Sequence, residues 1–511
     1  MANISRRDML KMSIVGASSL ALSSVNANAS ENEKDIKFDE EWDVVIIGSG
    51  FAGLAAGVTA AKRGNKVLVL EKMGRVGGNS VINGGGFAVP NNPLQKKEGV
   101  KDSDELFIND CLKAGLNINH LELLQTIAER AKDTFNLTLE CGTEYYDKLS
   151  HLGGHSVPRT INTKNGSGSG IVHPMVAAFE KIPNTEIRKR TKFDDFILET
   201  NKVVGVKVKE NYKFDQKLID DDNENTSGEI KFIKAKKGVI LASGGFCNDL
   251  FFRQLQDPRL GVNTDTTNHP GATAGGLISA LKIGAAPVHL SWIQFGPWAC
   301  PDEPGFGVGT KFNSGASFRF GISVNPKTGK RYMNELADRK IRSDAMFKVI
   351  GDDKNYPINL CDSQVLQHTD PERINKPLKT GILKQFNTLE ELAEFYNIPK
   401  ADFLETVKKY NEFVKNQKDL DFGKPLSLAT TKGVNISKPP FYAMRGTPKL
   451  HHTMGGVKIN TKAQVLDIND NPIPGFYAAG EVTGGTHGAS RLGSCAILDC
   501  LTFGMIAGEN I

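Results

Sequence analysis

Short apolar runs, glycine-rich turns and helical periodicity alternate at both ends of the chain. Residues 43–47 form an apolar run typical of a buried parallel strand. An alanine-rich helical pattern follows over 54–63, and a second strand is predicted at 66–70. Further strands that end in glycine turns are predicted at 238–246 and 475–481. Strands that alternate with helices predict an α/β fold with a Rossmann-like parallel sheet.

The turn after the first predicted strand contains Gly48, Gly50 and Gly53. In a GxGxxG turn the first glycine allows the tight bend and the second lets backbone approach a pyrophosphate, while the third lets the helix pack on the strand. The helix N-terminus then faces the phosphates. Glu71 ends the second strand, where it is placed to accept a hydrogen bond from a ribose hydroxyl. These elements in this order predict dinucleotide binding.

The glycine-rich stretches at 72–80 and 84–86 favour FAD over NAD, because they can lie along an extended flavin cofactor. The turns at 243–245 and 480–481 are expected to contact the same cofactor. No attachment histidine stands out, so non-covalent FAD is expected. The predicted cofactor-binding residues are Gly48, Gly50, Phe51, Ala52, Gly53, Glu71, Lys72, Gly78, Asn79, Ser80, Gly84, Gly85, Gly86, Ser243, Gly244, Gly245, Gly480, Glu481, Ala496 and Ile497.

The first and the last glycine turns belong to one nucleotide-binding domain, which is therefore predicted to be discontinuous. It comprises 40–285 and 446–511, with a second domain over 286–445 inserted between them. A chain of 511 residues exceeds what one hydrophobic core usually supports, which agrees with two domains. The glycine-rich segment 153–170 and the charged run 215–229 are predicted to be loops. The charged run is expected to be exposed to solvent.

Residues 1–29 are predicted to be a twin-arginine export signal. Arg6 and Arg7 precede an apolar run over 12–22, and 27–29 supply a small-residue cleavage site. A membrane anchor needs about 20 apolar residues, whereas this run is shorter and rich in serine and alanine. No later segment is long and apolar enough to span a bilayer, so a soluble periplasmic protein that is exported in the folded state is expected.

Composition narrows the partners and cofactors further. The formal net charge of +5 favours neither nucleic acid nor a membrane surface as a partner. The seven cysteines have no regular spacing, so neither a disulfide framework nor a metal site is expected. The Cys-x-x-Cys-His motif is lacking, which argues against a c-type haem attached to this chain.

Five motifs in the second half of the chain carry a resemblance to a known family. They are NHPGAT (268–273), GKRYMNE (329–335), HHTMGG (451–456), AAGEVTGG (478–485) and HGASRLG (487–493). In this order they resemble the flavoprotein of the fumarate reductase and succinate dehydrogenase family, and most closely the soluble periplasmic flavocytochrome c fumarate reductases and urocanate reductases. The resemblance covers the mature chain. It implies that 286–445 is an α+β capping domain that closes over substrate at the flavin.

The same resemblance implies roles for three residues. Arg339 stands where the family has its catalytic proton donor, and His452 and Arg491 match the pair that clamps the substrate carboxylate. An arginine fork holds a carboxylate through two hydrogen bonds, which polarises a conjugated double bond. The implied reaction is reduction of an α,β-unsaturated carboxylate in anaerobic respiration, with hydride from flavin N5 and a proton from Arg339.

Simpler roles stay open for these side chains. His452 fits a packed core histidine, and Arg339 fits a surface arginine on a helix. Arg491 fits a partner of the FAD pyrophosphate or of Glu481. The surrounding motifs favour the catalytic roles.

The chain departs from the fumarate-specific pattern at two places. Gly296 replaces the histidine that binds the second carboxylate in those relatives, and 313–317 lacks their threonine, glutamate and arginine. The far wall of the pocket is predicted to consist of Trp292, Phe295, Gly296 and Trp298. Without a cation there, a second carboxylate would be desolvated and unpaired. We therefore expect a monocarboxylate such as acrylate, methacrylate, a cinnamate or urocanate, with Trp292, Gly296, Trp298 and Thr453 as substrate-binding residues.

The proton route to Arg339 stays open, and its candidates are Arg319, Glu335, Asp338 and Lys340. The electron donor is expected to be a separate periplasmic multihaem cytochrome c. Relatives that carry haems have them on an N-terminal extension, whereas this chain has only about a dozen residues between the cleavage site and the first strand.

Three other functions stay open. The first is a fumarate reductase proper, with the second carboxylate bound by Arg319 or Arg331. The second is a flavin dehydrogenase or oxidase that works in the oxidative direction. The third is a flavin-carrying electron-transfer or binding subunit with a decayed site, against which the retention of Arg339, His452 and Arg491 argues.

Overall fold

The computed structural model describes residues 36–426 and 433–511. The predicted export signal, 1–29, lies outside the described residues. Across the two described ranges, no helix has the length and apolar character needed to cross a bilayer.

Strands occur along the whole described part of the chain. They are β1 (Glu40–Ile47), β2 (Val67–Glu71), β3 (Gly86–Ala88), β4 (Tyr145–Ser150), β5 (Thr160–Thr163), β6 (Thr185–Lys189), β7 (Lys192–Glu199), β8 (Lys202–Glu210), β9 (Glu229–Leu241), β10 (Pro287–Val288), β11 (Ile293–Ala299), β12 (Ile322–Asn325), β13 (Lys330–Arg331), β14 (Ile358–Asp362), β15 (Lys384–Phe386), β16 (Phe441–Arg445), β17 (Thr447–Thr453), β18 (Gly456–Val457), β19 (Gln464–Leu466) and β20 (Pro472–Ala478).

Helices connect and cover these strands. They are α1 (Phe51–Lys62), α2 (Gly78–Ile82), α3 (Pro93–Lys97), α4 (Asp104–Ala114), α5 (Leu121–Glu129), α6 (Ala131–Glu140), α7 (Ser169–Glu180), α8 (Asp221–Glu224), α9 (Leu250–Gln256), α10 (Gly275–Lys282), α11 (Gly309–Phe312), α12 (Phe318–Phe320), α13 (Arg339–Ile350), α14 (Glu372–Lys379), α15 (Leu389–Phe395), α16 (Lys400–Asn416) and α17 (Cys495–Asn510). A π-helical turn, Asn313–Ser317, joins α11 to α12, and a 3-10 segment follows β14 at Ser363–Gln367.

The large sheet joins the first and the last parts of the chain. Its parallel strands stand in the order β20-β9-β1-β2-β6, and β19 pairs with β20 in antiparallel orientation. Ile46 pairs with Val69 on one side and with Ile240 on the other, so the C-terminal ends of β1, β2 and β9 meet at one edge. Ligands of open parallel sheets bind at this edge. The predicted Rossmann-like α/β sheet is confirmed.

Helix α1 is buried along almost its whole length, because the sheet covers one side of it and α17 the other. Gly504 faces Ala52, and Gly508 faces Ala56, so closely that a Cβ on either glycine would overlap the backbone of α1. The two helices therefore run in the same direction. Because Gly504 stands opposite Ala52, the N-terminal half of α17 extends beyond the N-terminus of α1.

A separate antiparallel sheet, in the order β13-β12-β14-β16-β15, lies in the inserted part of the chain. Helices α15 and α16 pack on it around a core that includes Leu360 and Phe403. This confirms the α+β class of the inserted domain, while the bounds 286–445 stay a prediction. Strands β11 and β17 pair where the two parts of the chain meet, and Gln294 stands opposite His452 in that pairing.

Candidate active site

A cavity of about 150 Å³ opens at the edge of the large sheet where β1, β2 and β9 end. The turn after β1 and the start of α1 form one wall, and the turns after β9 and β20 form others. Most of the predicted cofactor residues line it, namely Gly48, Gly50, Phe51, Ala52, Glu71, Lys72, Gly78, Asn79, Ser80, Ser243, Gly244, Gly480 and Glu481. Four more predicted residues line an adjoining cavity, namely Gly84, Gly86, Ala496 and Ile497.

Three predicted cofactor residues, Gly53, Gly85 and Gly245, line neither cavity. A Cβ at Gly53 would overlap the carbonyl oxygen of Gly48, which agrees with the predicted role of this glycine in packing. A Cβ at Gly245 would overlap the carboxylate of Glu481. These glycines allow close packing of the backbone, and their contact with the cofactor stays a prediction.

Glu71 is held by the turn that it faces. The Ser49 hydroxyl donates to one carboxylate oxygen, and the backbone N–H of Met73 donates to the other at 2.8 Å. Burial raises the pKa of Glu71, against the effect of these hydrogen bonds. The carboxylate lines the first cavity, and its contact with a ribose stays a prediction.

Lys72 links the end of β2 to two distant segments. Its Nζ donates to Thr273 Oγ1 at 2.7 Å and lies 3.1 Å from Asp222 Oδ1. Asp222 belongs to the charged run 215–229, yet its side chain is only 10% exposed and lines the first cavity. The prediction that this charged run is a loop wholly exposed to solvent is wrong at Asp222. A run of charged residues gives no sequence signal that one of them contacts a residue 150 positions away in the chain.

The first cavity fits the phosphate groups of FAD. Gly48 has a φ of +106°, and a Cβ there would overlap the backbone of Ala242, so only glycine suits this turn. Gly50 caps α1 without a side-chain hydrogen bond, and the first turn of α1 lines this cavity through Phe51 and Ala52. The N–H of Phe51 donates to Ser80 Oγ at 3.0 Å. Ser243 Oγ is buried and has no partner among the described residues, as expected of a cofactor ligand.

A second cavity, of about 270 Å³, adjoins the first and shares Phe51 and Glu481 with it. It brings together the three predicted catalytic residues, which come from distant parts of the chain. Arg339 begins α13, His452 lies on β17, and Arg491 lies in the loop before α17.

His452 and Arg491 both line the second cavity, and both side chains are buried. His452 Nδ1 stands 3.4 Å from Glu481 Oε2, and burial lowers the pKa of His452 to about 4 despite that carboxylate. Arg491 donates from one Nη to the carbonyl of Leu492 at 2.9 Å, while its Nε is buried without a partner among the described residues. A buried arginine with unused donors is suited to bind a carboxylate.

Arg339 faces the cavity from the first turn of α13. Its Nη1 donates to Gln294 Oε1 at 3.1 Å, and its Cζ lies 4.5 Å from the ring centroid of Trp298. Burial, together with Arg491 and Arg342, holds the pKa of Arg339 well below its usual range. The alternative of an outer-surface arginine is therefore not supported.

Trp298 closes the cavity beside Arg339. Its side chain is buried and stands edge-on to His451, with 5.1 Å between the ring centroids. A Cβ at Gly296 would lie 3.1 Å from the indole, so the glycine leaves room for this ring. Gly296 does not line the cavity. Its contact with substrate stays a prediction.

Trp292 and Thr453 also lie outside the cavity lining. The carbonyl of Trp292 accepts a hydrogen bond from the backbone N–H of Met454 at 2.9 Å, in the turn beside β17. The backbone N–H of Thr453 donates to Glu481 Oε1 at 3.0 Å. Thr453 thus orients the carboxylate that faces His452, and the contacts of Trp292 and Thr453 with substrate stay predictions.

Besides Arg339, His452 and Arg491, four further lysine and arginine side chains line the second cavity, namely Lys311, Arg319, Arg342 and Arg373. The expectation of a pocket without further cations is therefore corrected. Arg373 comes from α14 and lies against the π-helical turn 313–317, where a Cβ at Gly315 would overlap its guanidinium. The sequence did not point to Lys311 or Arg373 as cavity residues. The departure of 313–317 from the family pattern was a local signal that this part of the pocket differs.

Arg331, a candidate for the second clamp, belongs to a buried ion network of the inserted domain. Its Nη2 lies 2.7 Å from Glu335 and 3.0 Å from Asp419, and Lys424 Nζ lies 3.6 Å from Glu335. Although burial raises it, the pKa of Glu335 is lowered overall by Arg331 and Lys424. Arg331 does not line the cavity, so it is not supported as a substrate ligand.

Of the four candidates for the proton route, Arg319 lines the cavity. Glu335 is occupied by the buried network, and Asp338 caps α13 by accepting from the N–H of Ile341 at 3.1 Å. Lys340 pairs with Asp344 at 2.6 Å on the outer side of α13.

Comparisons with known proteins agree with this site. A sequence model of the FAD binding domain family matches residues 43–497. The chain is 43% identical to the acrylate reductase flavoprotein subunit of Shewanella woodyi, over 99% of this chain and 98% of that protein. It is 35% identical to the urocanate reductase of Eggerthella lenta, over 92% of this chain and 74% of that protein. The solved open conformation of a flavocytochrome c3 fumarate reductase matches with a TM-score of 0.71 and 30% identity, over 96% of this chain and 80% of that chain.

The family match and the fit of the first cavity confirm that the cofactor is FAD. The similarity to named reductases extends over nearly the whole chain, which confirms the resemblance seen in the motifs. The chain therefore belongs to the FAD-binding flavoprotein family of the fumarate reductases, and it is a flavin-dependent oxidoreductase that acts on CH–CH groups.

Proposed function

We propose that this protein reduces the double bond of an α,β-unsaturated monocarboxylate in the periplasm. The observation that carries the proposal is one cavity in which His452, Arg491 and Arg339 meet beside the FAD site. A guanidinium and an imidazole suit one carboxylate, and a second guanidinium nearby suits proton delivery. Non-covalent binding of FAD is part of the proposal.

In the proposed reaction Arg491 and His452 hold the substrate carboxylate. Arg491 stabilises the negative charge that develops there when the double bond is polarised. Reduced FAD, when bound in the first cavity, would supply from its N5 the hydride that the β carbon needs. Arg339 transfers one proton to the α carbon, so the product is the saturated acid.

Arg339 is held in a state that favours this acid role. An arginine in water is too weak an acid, and a general acid works best when its pKa approaches the operating pH. Burial, Arg491 and Arg342 all lower the pKa of Arg339. Gln294 and Trp298 restrict its guanidinium at the same time, which favours transfer to one position of the substrate.

The wall beside Arg339 favours a substrate with a small or apolar tail. Trp298 packs there with Phe318 and Met333. A second carboxylate against the Trp298 ring would lose hydration on that side, where the indole supplies no charge to pair with it. The relatives named as acrylate and urocanate reductases support an unsaturated monocarboxylate, with methacrylate and cinnamates as further candidates.

A separate periplasmic multihaem cytochrome c is the proposed electron donor, in anaerobic respiration. The twin-arginine pattern at Arg6 and Arg7 supports export in the folded, cofactor-loaded state. The Shewanella woodyi relative is named as a flavoprotein subunit, and the solved relative is a flavocytochrome, which supports haem groups as the source of electrons.

Oxidation of reduced methyl viologen by the holoprotein tests the proposal. We expect acrylate, methacrylate, cinnamate or urocanate to exceed fumarate in kcat/KM by at least about tenfold, because a second carboxylate that loses hydration against Trp298 costs more than about 1.4 kcal/mol. Trp298→His is expected to narrow this gap, and Trp298→Phe, which keeps an apolar wall, is its control. Fumarate as the best substrate would contradict the monocarboxylate preference.

A fumarate reductase proper is the second candidate, and Arg319 and Arg373 in the same cavity favour it. If they bind a second carboxylate, their replacement by glutamine lowers kcat/KM for fumarate and leaves acrylate unchanged. The viologen assay with both acids distinguishes the two functions.

Substrate binding is expected to weaken as pH rises. The free protein holds His452 neutral at pH 7, since its pKa is about 4. A bound carboxylate favours the imidazolium and raises this pKa, so the complex binds more protons than the free protein between the two pKa values. Affinity therefore increases as pH falls through the pKa of the complex, until the ligand's own carboxylate begins to take up a proton.

The Kd of propionate, a saturated product analogue, checks this through the flavin absorption spectrum between pH 5 and 9. His452→Gln should flatten the profile, because glutamine does not titrate. An equal slope in His452→Gln would assign the pH dependence to another group.

A further inference from the structure

Lys311, Arg319 and Arg373 line the second cavity together, and Arg373 is close enough to lower the pKa of both of the other side chains. Lys311 is exposed, whereas Arg319 and Arg373 are partly buried. None of the three forms an ion pair within 36–426 and 433–511, although such pairs hold most other buried basic side chains, such as Arg159 with Asp102 and Asp110. We call Lys311, Arg319 and Arg373 the outer cation group.

The local backbone is shaped to bring this group together. Lys311 and Arg319 flank the π-helical turn 313–317, and π-helical turns in proteins often mark functional sites. Arg373 reaches the same turn from α14, and its guanidinium occupies the space that a side chain at position 315 would need. Gly315 is thus required for the approach of Arg373.

The outer cation group is electrostatically distinct from the catalytic residues. Burial and Arg373 lower the pKa of Arg319 to about 10, while the residues that act on Arg339 are Arg491 and Arg342. Asp370 partly offsets the effect of burial on Arg373. Both arginines stay charged at neutral pH. Partly desolvated cations that lie together without a counter-ion raise the electrostatic free energy of the protein. An anion that enters the cavity lowers it again.

We propose that Lys311, Arg319 and Arg373 form an outer anion site, which holds the carboxylate of an incoming substrate before it passes to His452 and Arg491. The proposal rests on the proposed function for the identity of the substrate. Cations that line one cavity attract an anion into it. This attraction raises the association rate of the substrate and leaves the rate of the chemical step unchanged.

Stopped-flow binding of propionate to the oxidised holoprotein, followed by the flavin absorption, tests this site without turnover. We expect Arg373→Gln to lower the association rate constant by about tenfold at low ionic strength, with a smaller change in the dissociation rate constant. The difference should shrink in 0.5 M salt, where the Debye length falls to roughly 4 Å. Lys379→Gln removes the same charge from an exposed position of the same helix and serves as the matched control.

Gly315→Ala is a second variant, because it displaces Arg373 without removing a charge. It is expected to slow association like Arg373→Gln, provided that FAD content and the unfolding midpoint match those of the wild type. If Arg373→Gln and Lys379→Gln bind propionate at the wild-type rate, the outer anion site is refuted. A defect confined to fumarate turnover would also refute it, and would assign the group to a second carboxylate.

Failure of the proposed function has a different signature. A wild-type protein that reduces none of the enoates would overturn the proposed reaction. In that case a slower association of propionate in Arg373→Gln would still support the outer anion site.

Discussion

Replacing Arg339 with glutamine is expected to lower kcat for enoate reduction by about 10²–10⁴-fold, the usual contribution of a general acid. Glutamine keeps a polar group near Gln294 and Trp298 but has no proton to give to the α carbon. The FAD content and the Kd of propionate should stay close to wild type, because His452 and Arg491 are intact. A loss of kcat with unchanged binding would identify proton delivery. A structural role of Arg339 would also change the FAD content or the Kd of propionate.

Lys340→Gln is the control for Arg339→Gln. It removes a positive charge from the next residue of α13, whose side chain pairs with Asp344 on the outer side of the helix. We expect this variant to retain the wild-type kcat. An Arg339→Gln enzyme that keeps more than a tenth of the wild-type kcat would overturn the assignment of Arg339 as proton donor.

Replacing Arg331 with methionine is expected to destabilise the protein by about 3–5 kcal/mol, because it leaves buried carboxylates without their partner. Glu335 is fully buried, and Asp419 is 6% exposed. Lys424 offsets only part of the loss, since its Nζ lies 3.6 Å from Glu335. Urea unfolding of the holoprotein, followed by far-ultraviolet circular dichroism, measures the change in the unfolding midpoint.

Arg445→Met is the matched control, because Arg445 pairs with Asp302 at the surface. Exposed ion pairs contribute about 0–1 kcal/mol, so a small shift is expected. If Arg331→Met unfolds like the wild type but loses affinity for fumarate, then Arg331 is a substrate ligand after all. The buried network would then be incidental to stability.

The nucleotide-binding half could be predicted well from the sequence. The interactions that shape it are local, since β1, the turn at Gly48 and α1 are consecutive. A positive φ at Gly48 and the close contact at Gly53 demand glycine, so their spacing is visible in the sequence. FAD follows from this pattern because backbone rather than side chains approaches its phosphates.

The catalytic residues could be predicted only through long motifs that resemble a family. Histidine and arginine have many simpler roles, and nothing within a few residues of Arg339 or His452 distinguishes those roles. The structure places Arg339, His452 and Arg491 in one cavity, which is where the motifs imply that they act. Their chemical roles stay predictions for the variants above to test.

The sequence by itself determined the Rossmann-like sheet, the FAD cradle and the identity of the three residues expected to act on the substrate. Only the tertiary structure decided that Gly296 makes room for Trp298 and that Asp222 meets Lys72. It also decided that Arg373 reaches the cavity across Gly315. The physical reason is how far apart in the sequence the interacting residues lie. A turn is fixed by the φ values of neighbouring residues, whereas these contacts join side chains from distant segments, and no local pattern records which of them will pack together.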